Sequence, residues 1–232
     1  MSDLEDGFHL IAVNLIGYGR TPPWTGERSQ TLEDQARLVD AAVRDNDGPL
    51  SVVGHSFGGT VAMKAAAMLG KRVQKLILLE PNPFYLLHQN ARSEAFAEIT
   101  DLRDWVTQKA LSGEWAAGAA RFADYWGGAG TWASMPEERR AVFVEALKSN
   151  YYEWDAVMDE TTTLDEWKNV LPKETLVVSD RHTVRPIREI IELMREACPA
   201  WHFKEIGDGG HMAPLTRPDI VNPIVSSFLE RR

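Results

Sequence analysis

The chain has 232 residues, of which 44% are hydrophobic and 25% charged, so it can bury one substantial core and a smaller second layer. Its formal net charge of −9 repels phosphate backbones and anionic lipid surfaces, so neither nucleic acid nor membrane is expected as a partner. Cys198 is the single cysteine, which excludes an internal disulfide, and no Cys/His cluster has zinc-ligand spacing. We therefore expect no metal and no cofactor.

The N-terminal sequence MSDLEDGFHL is acidic and lacks the basic region and apolar run of a secretory signal. No stretch approaches the ~20 apolar residues that a membrane span requires. These features predict a cytoplasmic protein.

Short apolar runs alternate with helical patterns along the chain. Four runs are typical of buried strands: residues 8–15, 50–55, 75–80 and 174–179. Apolar residues at helical spacing predict helices over 32–44 and 59–69. The alternation predicts an α/β fold, with a mostly parallel sheet and helices on both faces.

The pattern changes between residues 82 and 170, where no strand-like run occurs and tryptophan and tyrosine are frequent. This composition predicts a helical cap of residues 82–170, inserted into a core of residues 1–81 and 171–232. The aromatic rings either form the cap's own small core or line a cleft, and the two interpretations are weighted equally. Trp126 and Trp132 are the candidate substrate contacts among them.

The stretch SVVGHSFGGTVA, residues 51–62, has the parts of a nucleophile elbow. An apolar strand leads to Ser56, Gly54 and Gly58 lie two residues before and after it, and a helix-forming run follows at once. Small neighbours allow the serine hydroxyl to project above the sheet. A phosphate-binding glycine turn is the alternative, but the lysine and the spacing of a P-loop are missing.

A serine hydroxyl is a weak nucleophile at neutral pH and needs a base. His211 is the candidate, because it lies in a glycine-rich turn between the apolar run WHFKEI and a C-terminal helix pattern. Met212 next to it is a candidate substrate contact. His55 precedes Ser56 on the strand and is expected to point the opposite way, although its neighbouring position keeps it a candidate substrate contact.

These stretches resemble the α/β-hydrolase family of capped serine hydrolases. HLIAVNLIGYGRT is similar to the family's fourth strand and its following turn, VVGHSFGG to the fifth strand and elbow, and GGHMAPLTRP to the histidine loop. The resemblance implies that Ser56 and His211 belong to a catalytic triad. It also implies that the third member is either Glu80, at the tip of the sixth strand, or Asp180, near the end of the seventh.

The same resemblance implies that the core is shortened, because the sequence starts near the family's fourth strand. The Phe57 amide of the elbow is then one oxyanion donor, while the loop that supplies the usual partner amide is missing. We expect residues 8–15 to pair directly with strand 50–55, which would bring a replacement amide of Ile16 or Gly17 close to Ser56. A homodimer that pairs across the exposed strand edge is a second way for that edge to find a partner.

The favoured function is hydrolysis of small, fairly apolar esters, or of related acyl or carbon–carbon bonds. One alternative is a binding protein, or a truncated gene product, that keeps the elbow without completing the chemistry. Another alternative is cofactor-free haloperoxidase or perhydrolase activity at the same triad.

Overall fold

The computed structural model describes residues 7–231 and contains a four-stranded parallel sheet. The strands are β1 (Leu50–His55), β2 (Val73–Leu79), β3 (Glu174–Asp180) and β4 (His202–Ile206), and they lie side by side in chain order. The predicted strands at 50–55, 75–80 and 174–179 are thereby confirmed to within two residues. The sheet brings the carboxyl ends of β1, β2 and β3 to one edge.

Helices surround this sheet in the predicted α/β order. They are α1 (Leu32–Ala42), α2 (Phe57–Leu69), α9 (Arg185–Ala197), α10 (Ala213–Thr216) and α11 (Pro218–Leu229). Successive strand residues point to opposite faces. Leu76 and Leu78 therefore pack in the core that contains α2 and α9, while Ile77 and Leu79 pack in a second core with α11. The expected α/β class, with helices on both faces of a parallel sheet, is confirmed.

Between β2 and β3 the chain is helical. This segment, residues 81–173, contains α3 (Tyr85–Gln89), α4 (Ser93–Leu111), α5 (Trp115–Gly127), α6 (Thr131–Ser134), α7 (Glu137–Met158) and α8 (Leu164–Val170). Large rings pack its helices together, since Phe84 stacks on both Trp126 and Trp154 with centroids 6.4 and 6.1 Å apart. The cap boundaries 82–170 stay a prediction. None of the helices within residues 7–231 combines the length and the apolar character needed to cross a membrane.

Residues 8–15 do not form the expected strand, and their predicted pairing with β1 is wrong. β1 pairs only with β2 and is an outer strand of the sheet, where Val53 remains 44% exposed. The segment instead leads into a loop that is held by α1, because the Ile16 amide donates to Gln35 Oε1 at 2.9 Å. The expectation of a buried strand is also wrong, because Ile11 is exposed and only Phe8 and Leu15 of this run pack, partly buried, against the two cores.

The turn from β1 to α2 depends on close backbone packing at Gly54. A Cβ atom at this position would lie 2.2 Å from the Gly58 carbonyl oxygen and 2.8 Å from Gly59 Cα. The start of α2 therefore lies directly on the end of β1. This packing sets the position of the residue between them, Ser56.

Replacing Gly54 with alanine should push α2 away from β1 and lower the free energy of unfolding by about 3 kcal/mol, the upper part of the overpacking range. Gly58→Ala is the matched control, because a Cβ at Gly58 meets nothing within 4 Å. The control should change stability by less than about 1 kcal/mol. Urea unfolding followed by tryptophan fluorescence measures both variants, and equal stabilities would contradict the proposed packing constraint.

Candidate active site

Ser56 lies at the carboxyl end of β1 in a strained backbone conformation. Its φ of 52° and ψ of −123° fall outside the regions that L-residues favour. The Ser56 amide donates to the Leu79 carbonyl at 2.9 Å, and the Ser56 carbonyl accepts from the amides of Gly59 and Thr60. These bonds tie the residue to β2 on one side and to α2 on the other, so the hydroxyl has a fixed origin above the sheet.

A chain of hydrogen bonds runs from Ser56 through His211 to Glu80. The distance from Ser56 Oγ to His211 Nε2 is 2.9 Å, and the distance from His211 Nδ1 to Glu80 Oε2 is 2.8 Å. A carboxylate can only accept, so we assign the proton to Nδ1, which leaves Nε2 to accept the serine proton. The arrangement is that of a nucleophile, a base and an orienting acid.

Glu80 is held by donors from three segments. Its carboxylate accepts the Asp180 amide at 2.6 Å, the Thr183 hydroxyl at 2.5 Å and the His211 ring. Its backbone has a positive φ of 48° immediately after β2, and the side chain is almost fully buried. The strained turn and the three donors together fix the carboxylate beside the imidazole.

Between the two acids that the sequence left open, the structure places Glu80 and not Asp180 against His211. Asp180 Oδ1 accepts the His182 amide at 2.7 Å, which closes the turn after β3. Asp180 contributes its own backbone amide to Glu80. The aspartate side chain is therefore a turn cap, and its backbone positions the other acid.

His55 lies beside His211 and lines the cleft, so the expectation that it points the opposite way is wrong. Its Nε2 donates to the His211 carbonyl at 2.8 Å, and the two ring centroids are 4.9 Å apart. β1 ends at this residue, so the alternation of a longer strand no longer decides the side-chain direction. Burial, together with the nearby His211, lowers the pKa of His55 to about 4. A neutral His55 thus holds the loop that carries His211.

The backbone amides predicted as oxyanion donors differ in whether another protein group already accepts their hydrogen bond. Phe57 is the first residue of α2, where amide groups have no acceptor within the helix, and it lines the same cleft as Ser56. The expectation for Ile16 and Gly17 is wrong, because their amides donate to Gln35 Oε1 and to the Pro22 carbonyl. The loop does reach the cleft, but with the side chains of other residues, including Leu15 and Tyr18.

A cleft of about 930 Å³ opens over Ser56 and His211. Its walls are formed by the N-terminal loop, α5, α7 and the histidine loop, and most of the wall surface is apolar. Trp126 and Met212 line it as predicted, and the Trp126 ring lies 4.3 Å from the His211 ring between centroids. Trp132 does not line it, which corrects that expectation: its ring packs against Phe143 and under Arg140.

Sequence reasoning missed a buried acid in this cleft, Glu153 on α7. Asn150 Nδ2 donates to Glu153 Oε2 at 3.0 Å, and the Tyr18 hydroxyl faces the same carboxyl group. Burial raises the pKa of Glu153 to about 7, although Tyr18 and Asn150 oppose the rise. The sequence contained one signal for a polar wall on this helix: Asn150 has helical spacing with Leu147 and Trp154, which are buried.

The comparisons with known proteins agree with this fold. The model of the Alpha/beta hydrolase family matches residues 2–224, and the chain therefore belongs to that family. It is 44% identical over 75 residues to lipase LipV of Mycobacterium tuberculosis, a match that covers 31% of this chain and 27% of the lipase. The chain spans about a quarter of the length of the curated relatives it matches.

Solved structures share the fold at low sequence identity. An esterase from Exiguobacterium antarcticum has a TM-score of 0.74 at 19% identity, with 97% of this chain and 83% of the esterase covered. A bromoperoxidase from Bacillus anthracis has a TM-score of 0.71 at 18% identity, with coverage of 94% and 80%. Likeness at this level of identity describes the α/β fold.

His55 and Glu153, the two cleft residues with shifted pKa values, should change the free energy of unfolding in opposite directions as the pH rises. The pKa of His55 falls from 6.5 to about 4 in the folded chain, so its contribution is fully present above pH 6.5 and is lost as the pH falls towards 4. The pKa of Glu153 rises from 4.5 to about 7, so its contribution is fully present below pH 4.5 and is lost as the pH rises through 7. Each change is on the order of 3 kcal/mol.

Urea unfolding of wild type, His55→Gln and Glu153→Gln across this pH interval tests the assignment. The stability difference between wild type and His55→Gln should grow with pH, whereas the difference between wild type and Glu153→Gln should shrink. Parallel curves for the three proteins would show that neither group has a shifted pKa.

Proposed function

We propose that this chain is a serine hydrolase that acts on esters of small, fairly apolar substrates. The observation that carries the proposal is the hydrogen-bonded series Ser56, His211 and Glu80, of which Ser56 and His211 line a largely apolar cleft. Membership of the α/β-hydrolase family supports hydrolase activity in general. The names of the similar lipase and esterase agree with an ester as the substrate.

In the first half of the proposed reaction, Ser56 Oγ attacks the ester carbonyl carbon while His211 Nε2 takes the hydroxyl proton. The carbonyl oxygen becomes an oxyanion that accepts from the Phe57 amide. The bond to the alcohol then breaks, and the alcohol leaves with the proton that His211 carries. Glu80 keeps the imidazole in the required tautomer and stabilises its charged form.

In the second half, a water molecule attacks the acyl-serine. His211 accepts one water proton, the new tetrahedral oxyanion collapses, and the proton returns to Ser56 Oγ as the acid product leaves. The enzyme is then regenerated. His55 takes no part in the proton transfers and acts as a positioning residue, because its bond to the His211 carbonyl fixes the loop.

Labelling with a fluorophosphonate probe, followed by intact mass, tests the proposal together with hydrolysis of p-nitrophenyl acetate and butyrate. Wild type should gain one label, and Ser56→Ala none. His211→Ala and Glu80→Gln should lower kcat/KM by about 10³-fold or more, since both remove members of one catalytic unit. Asp180→Asn, the matched carboxyl-to-amide change at the neighbouring strand end, should stay within a few-fold of wild type.

Other outcomes separate the alternatives. A folded wild type that neither labels nor hydrolyses would support a binding protein with an incomplete site. If Asp180→Asn loses activity and Glu80→Gln does not, Asp180 and not Glu80 is the acid that orients His211. The fold shared with a bromoperoxidase makes a peroxide-dependent assay worthwhile, and turnover only with peroxide would favour perhydrolase chemistry.

A further inference from the structure

The apolar cleft contains hydrogen-bonding atoms that the protein itself does not satisfy. Within residues 7–231, the atoms Glu153 Oε1, Asn150 Oδ1, Trp154 Nε1 and Trp126 Nε1 are buried and have no hydrogen-bond partner. All four residues line the cleft that contains Ser56. An unpaired buried polar atom costs about 1–3 kcal/mol, so a substrate that pairs with these atoms recovers binding energy that an apolar substrate does not.

Three of these atoms belong to one face of α7. Asn150, Glu153 and Trp154 are separated by three and four positions, which places their side chains next to each other. They present two acceptors and one indole donor. We call these three residues the α7 polar group.

A series of ring contacts connects His211 with the α7 polar group. The His211 ring is tilted against Trp126 at 4.3 Å, and stacked pairs continue from Trp126 to Phe84 at 6.4 Å and from Phe84 to Trp154 at 6.1 Å between centroids. Because Ser56 and the α7 polar group line the same cleft, a substrate with its ester carbonyl at Ser56 can reach this group with its other end. The apolar walls between the two places suit a hydrocarbon spacer.

The group is better suited to an uncharged partner than to an ion. Glu153 has only 4% of its surface exposed, and its pKa of about 7 makes the neutral carboxyl form accessible near neutral pH. Without a fixed charge, Glu153 can either accept or donate, depending on its protonation. The unpaired atoms have almost no solvent exposure, so pairing requires small rotations about the terminal side-chain torsions, which are broad for Asn and Glu.

We propose that the substrate carries, at the end distant from the ester, an uncharged group that both donates and accepts hydrogen bonds, such as a primary carboxamide or a hydroxyl. Asn150, Glu153 and Trp154 bind this group. The inference rests on the proposed ester hydrolysis and narrows its substrate class to esters with an apolar spacer and one polar terminus. It identifies Asn150 and Glu153 as residues that determine specificity.

A pair of esters with the same shape tests this inference. The p-nitrophenyl ester of 5-carbamoylpentanoic acid ends in a carboxamide, and that of 6-methylheptanoic acid ends in an isopropyl group of similar size. Shorter and longer spacers of both series allow for the depth of the cleft. Wild type should have a kcat/KM about tenfold higher for the best carboxamide ester than for its isopropyl partner, since the isopropyl group leaves the buried polar atoms unpaired.

The double variant Asn150→Leu with Glu153→Leu should reverse this preference. Because the buried Tyr18 hydroxyl loses its carboxyl partner in this variant, urea unfolding checks that the variant is folded, and the gain on the isopropyl ester then reports specificity. Glu145→Gln is the control, because Glu145 lies on the exposed part of the same helix and pairs with Lys148. This control should keep the wild-type preference.

Three results would overturn the proposal. They are a wild type that prefers the isopropyl ester, a carboxamide preference that survives in the double variant, and faster turnover of the ammonium- or carboxylate-terminated analogue than of the carboxamide ester.

If no ester is hydrolysed, the proposed function fails, and the binding inference is still tested with the Ser56→Ala variant. Tryptophan fluorescence titration should then give about tenfold tighter binding of methyl 5-carbamoylpentanoate than of methyl 6-methylheptanoate. Equal binding of the two esters would show that the α7 polar group does not recognise the carboxamide.

Discussion

The hydrogen bond from His211 Nδ1 to Glu80 is the interaction on which the rest of the site depends. It joins residues that are 131 positions apart, and both side chains are buried. The bond exists because β1 and β2 are neighbouring parallel strands that end abruptly, with positive φ at Ser56 and at Glu80. Two strained strand ends place the hydroxyl and the carboxylate on one edge of the sheet, and the histidine loop only has to insert one ring between them. The backbone strain is thus concentrated where the chemistry would need fixed distances.

The support around this bond combines backbone and side-chain groups. Asp180 holds Glu80 through its backbone amide, Thr183 holds it through its hydroxyl, and the His55 ring holds the histidine loop through the His211 carbonyl. Side-chain substitutions at the neighbouring strand end therefore leave the first of these contacts in place. On the oxyanion side, the amide of Phe57 comes from the elbow itself, while the amides of Ile16 and Gly17 are used within their own loop. In the proposed reaction, the strength of transition-state stabilisation would therefore depend on α2 and its first turn.

Much of the sheet and part of the site could be predicted from the sequence, because their signals are local. Gly54, Ser56 and Gly58 define the elbow within five residues, and the strand bounds follow from apolar runs next to turns. The choice between Glu80 and Asp180 could not be made, since both acids end neighbouring strands and only the packed loops decide which one faces the imidazole. The strand predicted at 8–15 failed for a similar reason: an apolar run does not specify a partner strand, and without one this run is neither paired nor buried.

The polar groups of α7 are the part of the cleft for which stability gives the weakest explanation. A wall made of Leu in place of Asn150 and Glu153 would remove two unpaired buried atoms and the raised pKa of the glutamate. Burying such groups costs free energy and gains discrimination, because a site built to hydrogen-bond a substrate rejects an analogue that lacks the group far more strongly than an apolar pocket rejects a similar shape. The apolar walls would then provide affinity and the α7 residues selectivity. This division of roles explains why a cleft lined mainly by rings and aliphatic side chains contains an acid, an amide and an indole on one helical face.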